Sequence, residues 1–154
     1  MRRLTVFVLS LGLLAAVTAC APQPPPIDHC AAPAAPGVDW HNCDKSGAFL
    51  EFADLTGANL SGADLTDSSI WGANLTDADL TDADLSGALV NFGDLVDANL
   101  SGANLSGTNL SGTNLMGANL FGATGTPVIL AAINYDNTTC PDGTVAPVDV
   151  ASCW

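Results

Sequence analysis

Positive charge is almost missing from this chain. Of its 154 residues only three are Lys or Arg, against sixteen Asp or Glu. Arg2 and Arg3 sit at the N-terminus, so beyond residue 20 Lys45 alone faces sixteen carboxylates, a balance of −15. That excludes a basic nucleic-acid binder, which needs clustered Lys and Arg to neutralise phosphates. Histidine is equally scarce: His29 and His41 are the only two, and no serine pattern lies beside them. Without a nucleophile–base pair, a G-x-S-x-G, a P-loop or an H-E-x-x-H stretch, the chain reads as non-catalytic and free of cofactors. Long hydrophobic runs are also lacking, with one exception at the N-terminus.

That exception reads as an address. Arg2 and Arg3 form a positive start, Leu4 to Val17 is almost wholly apolar, and Val17-Thr18-Ala19-Cys20 follows. A charged start, a short apolar run and small residues before a cut describe an export signal over residues 1–19. The run to Cys20 is at the lower limit for a membrane span, and Pro22, Pro24, Pro25 and Pro26 follow at once. The cysteine at the cleavage position resembles the lipobox of bacterial lipoproteins. That resemblance implies diacylglycerol on Cys20, cleavage before it, and a protein held by its lipid at the cell or outer membrane, outside the cytoplasm. Two or more acyl chains suffice for stable anchoring. Residues 20–37 are rich in Pro and Ala and read as an extended tether.

From Ala48 onward an apolar residue recurs every five positions. The fifteen sites from 50 to 120 hold thirteen Leu, Ile70 and Val90. Two residues earlier stands a small residue, eleven times Ala; directly before stands Asn seven times and Asp five times. Five α-helical steps rotate each leucine about 140° from the last, so no stripe forms. On a flat strand an odd period sends successive leucines to opposite faces. Every leucine is buried only if each pentad also turns the chain around a central column, which is a solenoid.

Runs such as Ala58-Asn59-Leu60-Ser61-Gly62 and Ala83-Asp84-Leu85-Ser86-Gly87 resemble the pentapeptide-repeat family. The resemblance covers residues 48–122 and extends weakly to Val38. It implies an all-β fold: a right-handed quadrilateral β-helix, four pentads to a coil, with the leucine and the small residue two before it pointing inward. Residues 38–125 are assigned to this solenoid and 126–154 to a disulfide-closed C-terminal cap or tail, because Pro127 and Val128-Ile129-Leu130 break the period. Lys45 occupies a leucine site, where a buried ammonium is costly, so the first coil reads as the open N-terminal end. Thr108 and Thr113, in inward small-residue sites, need backbone partners for their hydroxyls.

Four cysteines remain after Cys20. Cys30 and Cys43 flank one end of the rod, and Cys140 and Cys153 the other; each pair is 13 residues apart. Four cysteines allow three pairings, and bridged Cα atoms lie within about 7 Å, so the local pairs Cys30–Cys43 and Cys140–Cys153 are favoured. The alternative is a metal site from His29, Cys30, His41 and Cys43, whose spacing is not that of the usual zinc sets. It would make the protein a metal-binding or metal-dependent surface enzyme.

Residues 20 apart stack in such a coil, placing Asp64 over Asp84 and Asp77 over Asp97. These pairs are read as solvated carboxylates with somewhat raised pKa values, in preference to cation sites. Some pentapeptide-repeat proteins imitate duplex DNA and bind topoisomerases. Here the acids stop between Asp97 and Asp136, and the export signal points away from the cytoplasm, so an acidic DNA mimic is the weaker reading.

The same register gathers Phe49, Phe52, Trp71, Leu89 and Phe92 outward on one side. Five large apolar side chains exceed what a scattered surface needs. One explanation is a cover formed by the tail with Val128, Ile129, Leu130, Ile133 and Tyr135, and this is the preferred one. The other is a protein partner or self-association anchored by Trp71 and Phe92. The function read from the sequence is therefore a lipid-anchored extracytoplasmic structural or interaction scaffold.

Overall fold

A computed structural model of the protein describes residues 28–129, 133–146 and 153. The apolar N-terminal run, Cys20 and Leu130 lie outside these residues. Parallel bridges join residues twenty apart, from Asp39↔Asn59 through Asp84↔Asn104 to Asn119↔Thr139. Four pentads therefore complete one coil, and the chain is a right-handed four-sided β-helix. The four sides are named below by their first bridging residue in the regular repeat: the Phe49, Asp54, Asn59 and Asp64 faces.

One pentad accounts for all of its backbone N–H groups, as buried backbone must. Asn59 N–H donates to the Val38 carbonyl on the preceding coil (2.8 Å), and Leu60 N–H to Asp79 on the next (2.7 Å). Ser61 N–H is taken by the Asn59 side chain (3.2 Å). Gly62 N–H reaches Thr81 on the next coil, and Ala63 N–H closes a turn onto Leu60 (3.0 Å). Gly62 has φ 63°, which is what the third residue of a type II turn requires. The Asn or Asp before each leucine is thus an Asx-turn residue, caging the N–H two positions on.

The turn throws each leucine inward. Leu55, Leu60, Leu65, Ile70, Leu75 and Leu80 are fully buried, and the small residues two before them, Ser68 and otherwise Ala, line the same column. Burying the fourteen aliphatics from Leu55 to Leu120 provides on the order of 30 kcal/mol gross at about 2 kcal/mol each. Hydroxyls at inward sites bond backbone: Ser68 to the Leu65 carbonyl, Thr108 to Leu85 (2.7 Å) and Thr113 to Val90 (3.2 Å).

Both ends are closed by chemistry absent from the middle. At the N-terminal end Trp40 fills the leucine site, 2% exposed, and its Nε1–H donates to the Ala32 carbonyl (3.0 Å). Lys45 is half-buried; its ammonium lies 4.0 Å from the centre of the Trp40 ring and donates to the Cys30 carbonyl. The lysine in a leucine site therefore caps the column instead of being buried within it. A short 3₁₀ turn, His29–Ala31, is held by Asp28 and tied to the coil by a Cys30–Cys43 disulfide.

The C-terminal segment differs from the expected break. The period slips once, since Asn109 pairs with Val128 nineteen residues on, and then resumes with Asn114↔Asn134 and Asn119↔Thr139. Tyr135 and Cys140 take leucine sites and Thr138 a small-residue site, all buried. The cause is the unfilled edge below: Leu110, Leu115 and Leu120 N–H groups need acceptors, and Val128, Asn134 and Thr139 supply them. Cys140-Pro141-Asp142-Gly143-Thr144 then turns the chain back, Thr139 pairs antiparallel with Val145, and Cys140 is bonded to Cys153. An antiparallel return over the last coil covers part of a sheet edge that would otherwise invite pairing.

Candidate interaction face

The Phe49 face departs from the repeat's own rules in two ways. The first concerns the Asx position. Fifteen bridging sites run from 49 to 119, and twelve hold Asn or Asp. The three that do not are Phe49, Ser69 and Leu89, which lie over one another on this face. Phe49 and Leu89 have no side-chain oxygen to close the turn, and Ser69 offers a hydroxyl in place of the Asx oxygen.

The second departure concerns backbone sign. From Gly37 to Gly122 every fifth residue, two after each inward site, has φ near +60°, and these positions are Gly, Asn or Asp, apart from Phe52 (φ 57°) and Phe92 (φ 58°). A bulky side chain in the left-handed region costs about 1 kcal/mol or more. Part of that strain is offset locally. A Cβ on Gly72 would meet the Phe52 ring at 3.0 Å, and one on Gly112 the Phe92 ring at 2.7 Å. Each phenylalanine therefore lies over a glycine of the next coil, and Gly72 and Gly112 are required by contact as well as by φ.

The result is an aromatic ridge along the rod. Phe52 and Trp71 meet edge to face at 4.5 Å between centroids, and Trp71 and Phe92 at 6.3 Å. Phe49 is 85% exposed, Phe52 69% and Phe92 61%, with Trp71 and Leu89 also exposed. The preferred tail cover is corrected here: Val128 is engaged by Asn109, Tyr135 points into the column, and the described part of the tail extends the rod instead of folding back. The edge bonds it makes there outweigh coverage of a side face. Leu130 lies outside the described residues.

The N-terminal cluster brings together three of the four residues considered for a metal. Ligand atoms of His29, Cys30 and Cys43 all lie within 4.8 Å of one another. Both sulfurs are joined to each other, however, and thiolates, not disulfide sulfurs, are metal ligands. His41 stacks on His29 at 4.6 Å, its Nδ1 paired with Asp39 at 2.8 Å, while the His29 Nε2–H donates to the His41 carbonyl. The His41 ring and backbone N–H hold the Asp39 carboxyl below its ordinary value.

Asp84, one of the stacked carboxylates, departs from the expectation of a raised pKa. Asp84 lies between Asp64 and Asn104 in one column. It accepts from the Ser86 hydroxyl and N–H and from the Asn104 amide (3.1 Å). These donors, Ser86 first, hold its carboxyl below the usual range. Asp44 and Asp54 are lowered in the same way by Ser46 and Thr56, as is Asp142 by Thr144. The repeat that stacks the acids also supplies hydroxyl and amide donors to their charged forms.

Comparison with known proteins places the architecture. Eight copies of the model for pentapeptide repeats match, over residues 37–72, 58–91 and 93–124. A solved pentapeptide repeat protein from the Arabidopsis thaliana thylakoid lumen is 36% identical, with TM-score 0.56, over 57% of this chain and 61% of its own. HetL from the cyanobacterium Nostoc sp. strain PCC 7120, a pentapeptide repeat protein involved in heterocyst differentiation regulation, is 31% identical, with TM-score 0.47, over 73% of this chain and 51% of its own. The chain thus spans less than two thirds of the length of either. No curated protein matches it in sequence. With the repeat model matched over more than half its length, the chain belongs to the pentapeptide-repeat family.

Proposed function

We propose that this protein is a lipid-anchored, extracytoplasmic interaction scaffold that works without catalysis and docks through its Phe49 face. Pentapeptide-repeat proteins are in general interaction and structural modules, which supports the coarse class. The single observation that carries the finer reading is the coincidence of exceptions. All three missing Asx residues and both left-handed phenylalanines fall on the face with the exposed aromatic ridge. Local rules broken together in one place, at a cost in stability, mark a site kept for something other than folding. The anchor rests on the charged start, the apolar run and Cys20, all outside the described residues.

The anchor is tested by the intact mass of membrane-extracted protein, which should show acylation at Cys20, with Cys20→Ala leaving the precursor unprocessed or released. A soluble, unmodified protein beginning elsewhere removes the anchor. Docking is tested in intact cells with a photocrosslinker, Asn91→benzoylphenylalanine, set beside Trp71 and Phe92. Crosslinked adducts that disappear with Phe52→Gly/Phe92→Gly support the face; a probe that captures no protein removes it.

A further inference from the structure

We propose that the occupant of the Phe49 face is a second copy of this chain, so that two rods meet through their aromatic ridges. The proposal rests on the reading of this face as a docking surface and names its partner. Charge makes the first case. Between residues 48 and 122 the pentads of this face hold one carboxylate, Glu51, whereas the Asp54, Asn59 and Asp64 faces hold four, two and three. A chain carrying −15 beyond residue 20 repels its own copy on every side, and least of all here. A basic partner would be drawn to the other faces instead. The occupant of this one is selected by apolar surface and has to tolerate an acidic neighbour, as a second copy does.

Area makes the second case. The exposed parts of Phe49, Phe52, Trp71, Leu89 and Phe92 present roughly 600 Å², taking 150–250 Å² for each aromatic. Two such patches bury about 1,200 Å², the lower bound for a specific interface. One patch alone is already at the upper end of what a monomer leaves exposed. A two-fold arrangement uses the same patch on both partners, so nothing else need be complementary.

The full chain, extracted in detergent, tests this with Asn91→benzoylphenylalanine and an equal mixture of ¹⁴N- and ¹⁵N-labelled protein. Irradiation should yield peptides that join one isotope to the other within residues 48–112. Sedimentation should show a monomer–dimer equilibrium that tightens as salt screens the carboxylates. Phe52→Gly/Phe92→Gly should weaken dimerisation at least tenfold. That variant relieves the left-handed strain, so an unchanged or raised melting temperature separates lost docking from lost folding. A monomer at every concentration up to about 500 μM, well above ordinary micromolar affinities, overturns the proposal, as does a dimer indifferent to the double variant. Adducts in cells containing only other proteins overturn self-association while leaving the docking face standing. No adduct of any kind removes both.

Discussion

At the residue scale the fold turns on which atom of each pentad meets which partner. Leu80 is fully buried in the column, so Leu80→Ala should cost about 2–5 kcal/mol in chemical denaturation, the range for truncated core aliphatics. Its neighbour Thr81 is not idle: its N–H and hydroxyl both donate to Asp79, and the Asn99 amide donates to it at 2.8 Å. Thr81→Ala should therefore cost about 1 kcal/mol, the net worth of a hydrogen bond or two. Equal losses at 80 and 81 would show that the inward register is wrong.

The lowered carboxyls make stability pH-dependent with a definite sign. Asp84, held below its ordinary value chiefly by Ser86, binds its proton less readily folded than unfolded. Its contribution is present above the unfolded pKa, about 4, and is lost as pH falls through the folded value. Melting temperature should therefore decline as pH is lowered from about 5 to about 3. Ser86→Ala should shrink that decline by removing the largest cause. A decline of the same size in the variant would assign the effect to other carboxyls.

At the element scale the two ends carry what the repeat cannot supply for itself. Interior coils have neighbours on both sides, while end coils have one, so the ends are the weak points of a solenoid. Cys30–Cys43 and Cys140–Cys153 each close a short loop, worth about 3 kcal/mol in the entropic account. Peptide mapping without reductant should recover these two pairs, and zinc bound to four free thiols would contradict them. Reduction should speed amide exchange in the first coil and in residues 133–146 while leaving Leu60 to Leu100 protected.

The leucine column and the small-residue column were legible in the sequence because burial enforces them pentad after pentad, whereas the four-sided coil was implied only by the resemblance to pentapeptide repeats. The last coil was not. A one-residue slip before Val128, with Tyr135 and Cys140 in place of leucine, hides a register that is held by edge hydrogen bonds more than by side-chain type. The role of Asn and Asp was visible as a count but not as a cause, since an Asx turn is a two-residue offset that hydrophobic spacing does not report. The signal for the interaction face lay in the exceptions to that count, Phe49, Ser69 and Leu89.

At the scale of the whole molecule, two apolar surfaces compete to explain any stickiness the protein shows. One is the Phe49 face along the side of the rod. The other is the end of the column, sealed by residues 133–146 and their antiparallel return. Deleting residues 126–154 distinguishes them, because the described residues 133–146 close the end of the column. The deletion leaves the Leu110, Leu115 and Leu120 N–H groups without the acceptors at Val128, Asn134 and Thr139, and it opens the column beneath them. Binding of a hydrophobic dye should rise on deletion, and it should rise as much when Phe52→Gly/Phe92→Gly is present. If the tail also shields the aromatic ridge, the double variant should make the rise smaller. A smaller rise in that combined variant would restore the tail as the cover of the Phe49 face and leave no free surface there for a second copy.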